Sequence, residues 1–154
     1  MLEDCPENCD QSCYRCLRSF RNRFEHSLLD RHVGASLLRY LIHGTEPTLN
    51  EDRLERSADT LCEDLSSRGS NAQFTRGTKI EIEGVGTITA PILAQRGDQQ
   101  WIFGVHDPLS PDVAPTDELR RAKETGSVPV LLIDDMVISR NFPFATGQVL
   151  QALA

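Results

Sequence analysis

Leu29, Val33, Leu37 and Leu41 recur every four residues, with Leu38 and Ile42 beside them. This period predicts an amphipathic helix of about fifteen residues whose apolar stripe is buried. Ser27 or Asp30 is placed to cap its start and Gly44 to stop it. A second stripe, Leu54, Ala58, Leu61 and Leu65, predicts another helix within 45–70, capped by Thr48 or Asn50 and ended by Gly69. The run Ser66-Ser67-Arg68-Gly69-Ser70-Asn71 reads as a linker. Beyond it the period shortens to two. Lys79-Ile80-Glu81-Ile82-Glu83 alternates strictly, Gly84-Val85-Gly86 turns, and Thr87–Leu93 returns. Gly97-Asp98 marks a further turn before Trp101–Val105, so the three segments predict an antiparallel meander. Pro91 argues that its strand is an edge or carries a bulge.

After a loop holding Pro108, Pro111 and Pro115, Thr116–Lys123 reads as a short helix with acids leading and bases following, as the helix dipole favours. Val128–Ile133 is nearly all apolar and predicts a central strand. Asp134-Asp135 reads as a turn with Met136–Ile138 after it, and Ala145–Leu153 as a closing helix. The fold class expected is α+β. Its parts are a cysteine knuckle with its helix over 1–45, a second helix and linker over 46–70, and a small α+β domain over 71–154.

Composition adds bounds. With 39% hydrophobic and 25% charged residues in 154, the chain reads as a soluble globular protein, with no apolar run long enough to span a membrane. A cytoplasmic place and no membrane partner are expected. The net charge of −7 argues against the whole surface attracting nucleic acid. Locally, though, residues 13–40 carry a balance of +4, with arginines at 15, 18, 21, 23, 31 and 39, while 1–12 and 46–69 each come to −4. Such an island either meets a phosphate backbone or an acidic surface, or is an ordinary solvated face.

The densest chemistry is Cys5-x3-Cys9-x3-Cys13-x2-Cys16, four of the five cysteines. Four thiolates in this space suit a zinc ion, a small disulfide framework or an iron–sulfur centre. An odd cysteine count with no secretory segment in view suits a reducing compartment, and neither ferredoxin spacing is present, so zinc is favoured. Four cysteines leave no open ligand position, which points to a structural ion. His26 and His32 flank the helix start, as substitute ligands or as packing at the junction. Cys62 reads as a small core residue.

The run Ser12–Asn22 with Phe24–Arg31, carrying Cys13-Tyr14-Arg15-Cys16-Leu17 and His26-Ser27-Leu28-Leu29-Asp30-Arg31, resembles the end of the DUF1998 domain, over roughly residues 5–43. That domain accompanies superfamily-2 DNA helicases of DNA repair and anti-phage defence, including mitomycin-repair, DISARM and Druantia types. The resemblance implies zinc ligation by Cys5, Cys9, Cys13 and Cys16, and a helicase motor as partner, in the same chain or a separate one. The family's glycine-rich segment ahead of the cysteines is absent, and no Walker-type phosphate loop or acidic helicase box occurs. The chain is therefore expected to be a C-terminal piece of a larger protein rather than the motor.

The function expected is that of a non-enzymatic zinc-binding accessory module that docks on protein and contacts DNA, with Arg15, Arg18, Arg21 and Arg23 facing phosphate. Two alternatives stand beside it. One is a metal-dependent nuclease with Glu81, Glu83 and Asp107 as ligands, although Lys79-Ile80-Glu81 runs opposite to the Glu-x-Lys order of restriction-type sites. The other is a purely structural end-piece. Trp101 and Phe103 share a strand face that could stack bases, but core packing accounts for them better.

Overall fold

The computed structural model describes residues 2–69, 71–110 and 116–154. Ser70 of the expected linker, and Pro111 and Pro115 of the expected loop, lie outside these. The chain divides into two compact units, Met1–Leu49 and Asn50–Ala154.

In the first unit the cysteine segment leads into a short 3₁₀ segment, Phe20–Glu25, and then helix α1, Arg31–His43. Asp30 starts α1, its carboxylate accepting from the amides of His32 (3.0 Å) and Val33 (3.2 Å). Gly44 ends it in the left-handed region (φ 68°), its amide bonded to the Tyr40 carbonyl. The face that α1 buries is not the expected stripe. Arg31, Ala35 and Ser36 are buried, whereas Leu37, Leu38, Leu41 and Ile42 are exposed, Leu41 by 75%. On this face Arg31 meets the carbonyls of Leu2, Glu3 and Cys9, and the chain after α1 folds back against Ser36. Ser36 Oγ donates to the Thr48 carbonyl (2.7 Å) and accepts from its amide (2.8 Å), and Leu49 is buried.

The second unit opens with α2, Glu51–Ser67, capped by the Asn50 side chain on the Asp52 amide (2.8 Å). The strands are β1, Gln73–Ile82, β2, Gly86–Arg96, β3, Gln99–His106, and β4, Val130–Asp134. The helices α3, Asp117–Thr125, α4, Asp135–Arg140, and α5, Phe142–Ala152, complete it. Strand order is β1-β2-β3-β4, the first three antiparallel and β4 parallel to β3. The fold is α+β, with the expected meander. Strand β4 lies at the sheet's edge rather than its centre. Its apolar run is explained by helices packing near it, not by strands on both sides. The chain divides at 49/50 rather than at the linker read over 66–71, because α2 gives Ala58, Leu61, Cys62 and Leu65 to the second unit's core.

Each face of the sheet has its own core. One joins Phe74, Ile92, Ala94, Trp101, Phe103, Val105 and Ile133 to residues of α2, α4 and α5. The other joins Ile82, Ile88, Ala90, Leu93 and Ile102 to Leu119 and Ala122 of α3. Inner strands buried on both faces explain why Trp101 and Phe103 are core residues.

The faces exchange along β1 and β2. Even-numbered Phe74, Ile92 and Ala94 enter the first core, but even-numbered Ile82, Ile88 and Ala90 enter the second. The switch falls where Gly77 (φ 58°) stands opposite Pro91 and the ladder between β1 and β2 skips a pair. Glycine supplies the left-handed backbone, and proline has no amide to pair. Pro91 therefore marks a break in a strand flanked on both sides, not an edge. Arg76 covers that break, its guanidinium donating to the Pro91 carbonyl while pairing with Glu55 (2.5 Å) and Asp59 (2.7 Å) of α2.

Asp134 and Asp135 end β4 by starting a helix instead of a simple turn. Asp134 accepts from the Met136 amide (2.7 Å). Asp135 is fully buried, its Oδ2 accepting from Arg53 Nε (2.8 Å) and ion-paired with Arg53 Nη2 (2.7 Å), its Oδ1 accepting from Ser57 Oγ (2.6 Å). Removing one partner strands a buried charge. Asp135→Ala should cost about 3–5 kcal/mol in urea unfolding, whereas replacing Arg53 and Asp135 together by Met and Leu should recover most of that loss.

Candidate metal centre

The cysteine segment is a chain of tight turns. Asn8, at φ 44°, returns its amide to the Cys5 carbonyl (2.8 Å), the left-handed conformation that asparagine tolerates better than most residues. The Cys13 carbonyl accepts from three amides in sequence, those of Cys16 (3.1 Å), Leu17 (3.1 Å) and Arg18 (2.9 Å). These turns aim all four sulfurs inward. Cys5 Sγ lies 3.5 Å from Cys13 Sγ and 3.7 Å from Cys9 Sγ; Cys16 Sγ lies 3.6 Å from Cys9 Sγ and 3.8 Å from Cys13 Sγ. No pair stands at disulfide bonding distance.

Four sulfurs about 2.3 Å from a tetrahedral ion stand about 3.8 Å from one another. Four of the six separations lie close to that edge and all six are within 4.8 Å, so the donor set fits one metal ion. Among the described residues this is the one group of three or more metal-ligating side chains within mutual reach. Glu81, Glu83 and Asp107, which a nuclease centre would need together, do not form such a group. Asp107 instead accepts from the Leu109 amide (2.8 Å), and Glu81 and Glu83 are exposed.

Backbone amides point at two of the sulfurs. The Cys13 amide points at Cys16 Sγ (3.2 Å) and the Arg15 amide at Cys13 Sγ (3.3 Å). Burial opposes ionisation of Cys5, but the Cys9 and Glu7 amides, aided by the Cys13 and Cys9 thiols, outweigh it and hold its thiol at about 6. Cys9 is pushed up to about 12 by burial and by its bonds with Cys16, Cys5 and Cys13. Such close thiolates cannot all form without a cation to balance them, and metal binding must release protons. Metal retention therefore weakens as pH falls.

Arg31 braces the loop from α1. Its buried guanidinium donates to the carbonyls of Cys9 (2.8 Å), Leu2 (2.9 Å) and Glu3 (2.7 Å), while its amide donates to the Gln11 carbonyl (2.8 Å). In the sequence Arg31 counts only as one charge of the basic island. Its place beside the helix cap Asp30, in the last pair of the His26–Arg31 phrase, is the signal that could single it out. His26 lies outside the sulfur group, its Nε2 bonded to the Ser19 carbonyl (3.0 Å) and Asn22 Oδ1 (3.1 Å). His32 is likewise outside that group.

The four candidate arginines are not alike. Arg15 pairs with Glu7 (3.5 Å), and Arg18 Nε donates to Ser12 Oγ (3.0 Å). Arg21 is exposed. Arg23 lies over the rings of Phe20 (5.1 Å) and Phe24 (4.6 Å). Cys62 sits apart from the cluster in the second unit's core, its thiol raised mainly by burial. No helix among the described residues is long and apolar enough to cross a membrane.

The chain is a distant homologue of Druantia protein DruE of Escherichia coli (strain UMEA 4076-1), with 29% identity over 153 residues. The likeness covers 99% of this chain and 8% of that protein, so the chain spans less than a tenth of the curated relative's length. No family model matches the chain, that of DUF1998 included, and no solved structure matches it.

Arg31→Ala removes three bonds to loop carbonyls without touching a sulfur. It should lower metal affinity by about 10- to 100-fold, the range for groups that orient ligands, in a competition titration with a chromogenic chelator. Arg39→Ala, whose guanidinium meets the exposed Glu3 carboxylate (2.6 Å) and no sulfur or loop carbonyl among the described residues, should leave affinity unchanged.

Proposed function

We propose that this chain is a non-enzymatic, zinc-stabilised accessory module of an anti-phage defence protein. In this reading it docks within a helicase-associated assembly and contacts DNA. The observation that carries the reading is a sulfur tetrahedron inside a stretch similar to a Druantia protein. Zinc is the ion assigned, since it takes four thiolates in a closed tetrahedral shell without redox chemistry. Bound there by Cys5, Cys9, Cys13 and Cys16, it would supply a cross-link joining the two turns of the loop.

Docking is supported by the aliphatic face of α1, where Leu37, Leu38, Leu41 and Ile42 remain exposed. The partner assigned is a helicase motor, as the resemblance to DUF1998 implies. DNA contact is assigned to Arg15, Arg18, Arg21 and Arg23, whose planar guanidinium groups suit phosphate. Of these, Arg18, Arg21 and Arg23 make no ion pair with a carboxylate among the described residues.

Native mass spectrometry should find one zinc per chain, and a strong chelator should unfold the first unit while the second keeps its sheet signal. A chain that stays folded and unchanged without metal sinks the structural-zinc assignment. Replacing Arg18, Arg21 and Arg23 by alanine should weaken single-stranded DNA binding and lower its salt slope by roughly one for each of these arginines that meets a phosphate. Unchanged binding removes the DNA role.

A further inference from the structure

Phe20 and Phe24 are 75% and 80% exposed, at the two ends of one short 3₁₀ segment. They contribute to neither described core. Between them runs Arg23, its guanidinium 5.1 Å from one ring and 4.6 Å from the other. A cation over a phenyl face holds both rings in place and keeps its own N–H edge available. The segment beneath is pinned. The Ser19 amide donates to Asn22 Oδ1 (2.6 Å), Asn22 Nδ2 donates to the Leu17 carbonyl (2.9 Å), and His26 closes on both Ser19 and Asn22. Exposed Tyr14 meets His26 edge-on at 5.4 Å, adding a third ring to the border of the same segment.

We propose that Phe20 and Phe24, ordered by Arg23, form a stacking platform for the unpaired bases of single-stranded nucleic acid, with Arg21 and Arg23 meeting its phosphates. This deepens the DNA-contact reading and rests on it. Stacking needs a flat ring with an open face, and each base offers one whatever its sequence. Charge decides between nucleic acid and protein as the occupant. Residues 17–29 hold three arginines against one acid, Glu25, in a chain whose net charge is −7. The aliphatic side chains of α1, which have no ring face to offer, suit protein instead. A platform of this kind binds unpaired strands without reading sequence, because paired bases keep their faces inside the duplex.

The test uses the zinc-loaded 154-residue chain and a fluorescein-labelled oligothymidylate of about 20 nucleotides, read by anisotropy across a salt series. The wild type should bind this probe more tightly than a duplex of equal length. Phe20→Ala and Phe24→Ala should each weaken binding on the order of 5- to 100-fold with an unchanged salt slope, and Phe24→Trp should preserve it. Arg21→Ala should instead lower the salt slope by about one. Both rings are exposed, so zinc content and circular dichroism of the variants should match the wild type.

Wild-type affinity in both phenylalanine variants overturns the platform, and if Arg21→Ala still weakens binding the phosphate reading alone survives. No binding of the probe by the wild type overturns both. A photo-crosslinking residue placed at Phe24 that joins protein in a lysate but never the oligonucleotide also overturns the platform, in favour of protein docking.

Discussion

Four thiols within one tetrahedron are the constraint on which the first unit depends. Among its described residues the buried apolar side chains are Cys5, Ala35 and Leu49, far short of a core. Each fully buried aliphatic side chain contributes about 1.5–3 kcal/mol, while ordering a residue costs about 1–2 kcal/mol in backbone entropy alone. Three such residues cannot hold a unit of this length. An ion with four thiolate bonds can, because its binding free energy is folding free energy, of order 10–16 kcal/mol in zinc-finger peptides. Polar bonding supplies the remaining order. The Arg31 fan to three carbonyls and the Ser36–Thr48 exchange do for this unit part of what apolar packing does elsewhere.

Relieved of making a core, the first unit leaves its large apolar residues outside. Tyr14, Phe20, Phe24, Leu28 and five residues of α1 are exposed, whereas among the described residues of the second unit Phe144 is the large hydrophobic residue left so. The contrast is physical. A sheet must cover two faces, and the second unit does so with helices on both, drawing nearly every large side chain inward. A loop held by tight turns and buried polar bonds has no such demand. Its large apolar residues stay exposed: Leu37, Leu38, Tyr40, Leu41 and Ile42 on α1, and Phe20 and Phe24 on the 3₁₀ segment.

Arginine does two kinds of work here. Arg31, Arg53 and Arg76 are buried or half-buried, each satisfying groups that would otherwise stand unpaired: loop carbonyls, the Asp135 carboxylate, and the Pro91 carbonyl at the strand break. Arg21 and Arg23 are exposed or half-exposed and form no ion pair with an acid among the described residues. The basic island is thus smaller as a surface than as a sequence, because Arg31 is inside it.

Much is legible in the chain alone. The four-cysteine spacing, Asp30 and Gly44 as the ends of α1, the stripe of α2, and the alternation and glycine turns of the meander are all local signals. Each depends on neighbours within a few residues, where backbone geometry and capping chemistry act. Tertiary structure decides the rest. Period can show that α1 has an apolar face, but not that Ala35 and Ser36 are buried instead, with the returning chain bonded to Ser36. An apolar run can show β4, but not that it lies at an edge, since helices and strands bury it alike. Nothing near Asp135 announces Arg53, 82 residues away in sequence. Arg31 reads as surface charge until the loop carbonyls of Leu2, Glu3 and Cys9 close around it. Sequence carries what short-range bonding enforces. Which face is covered, and which charge is buried, follow from interactions between residues that only the folded chain brings together.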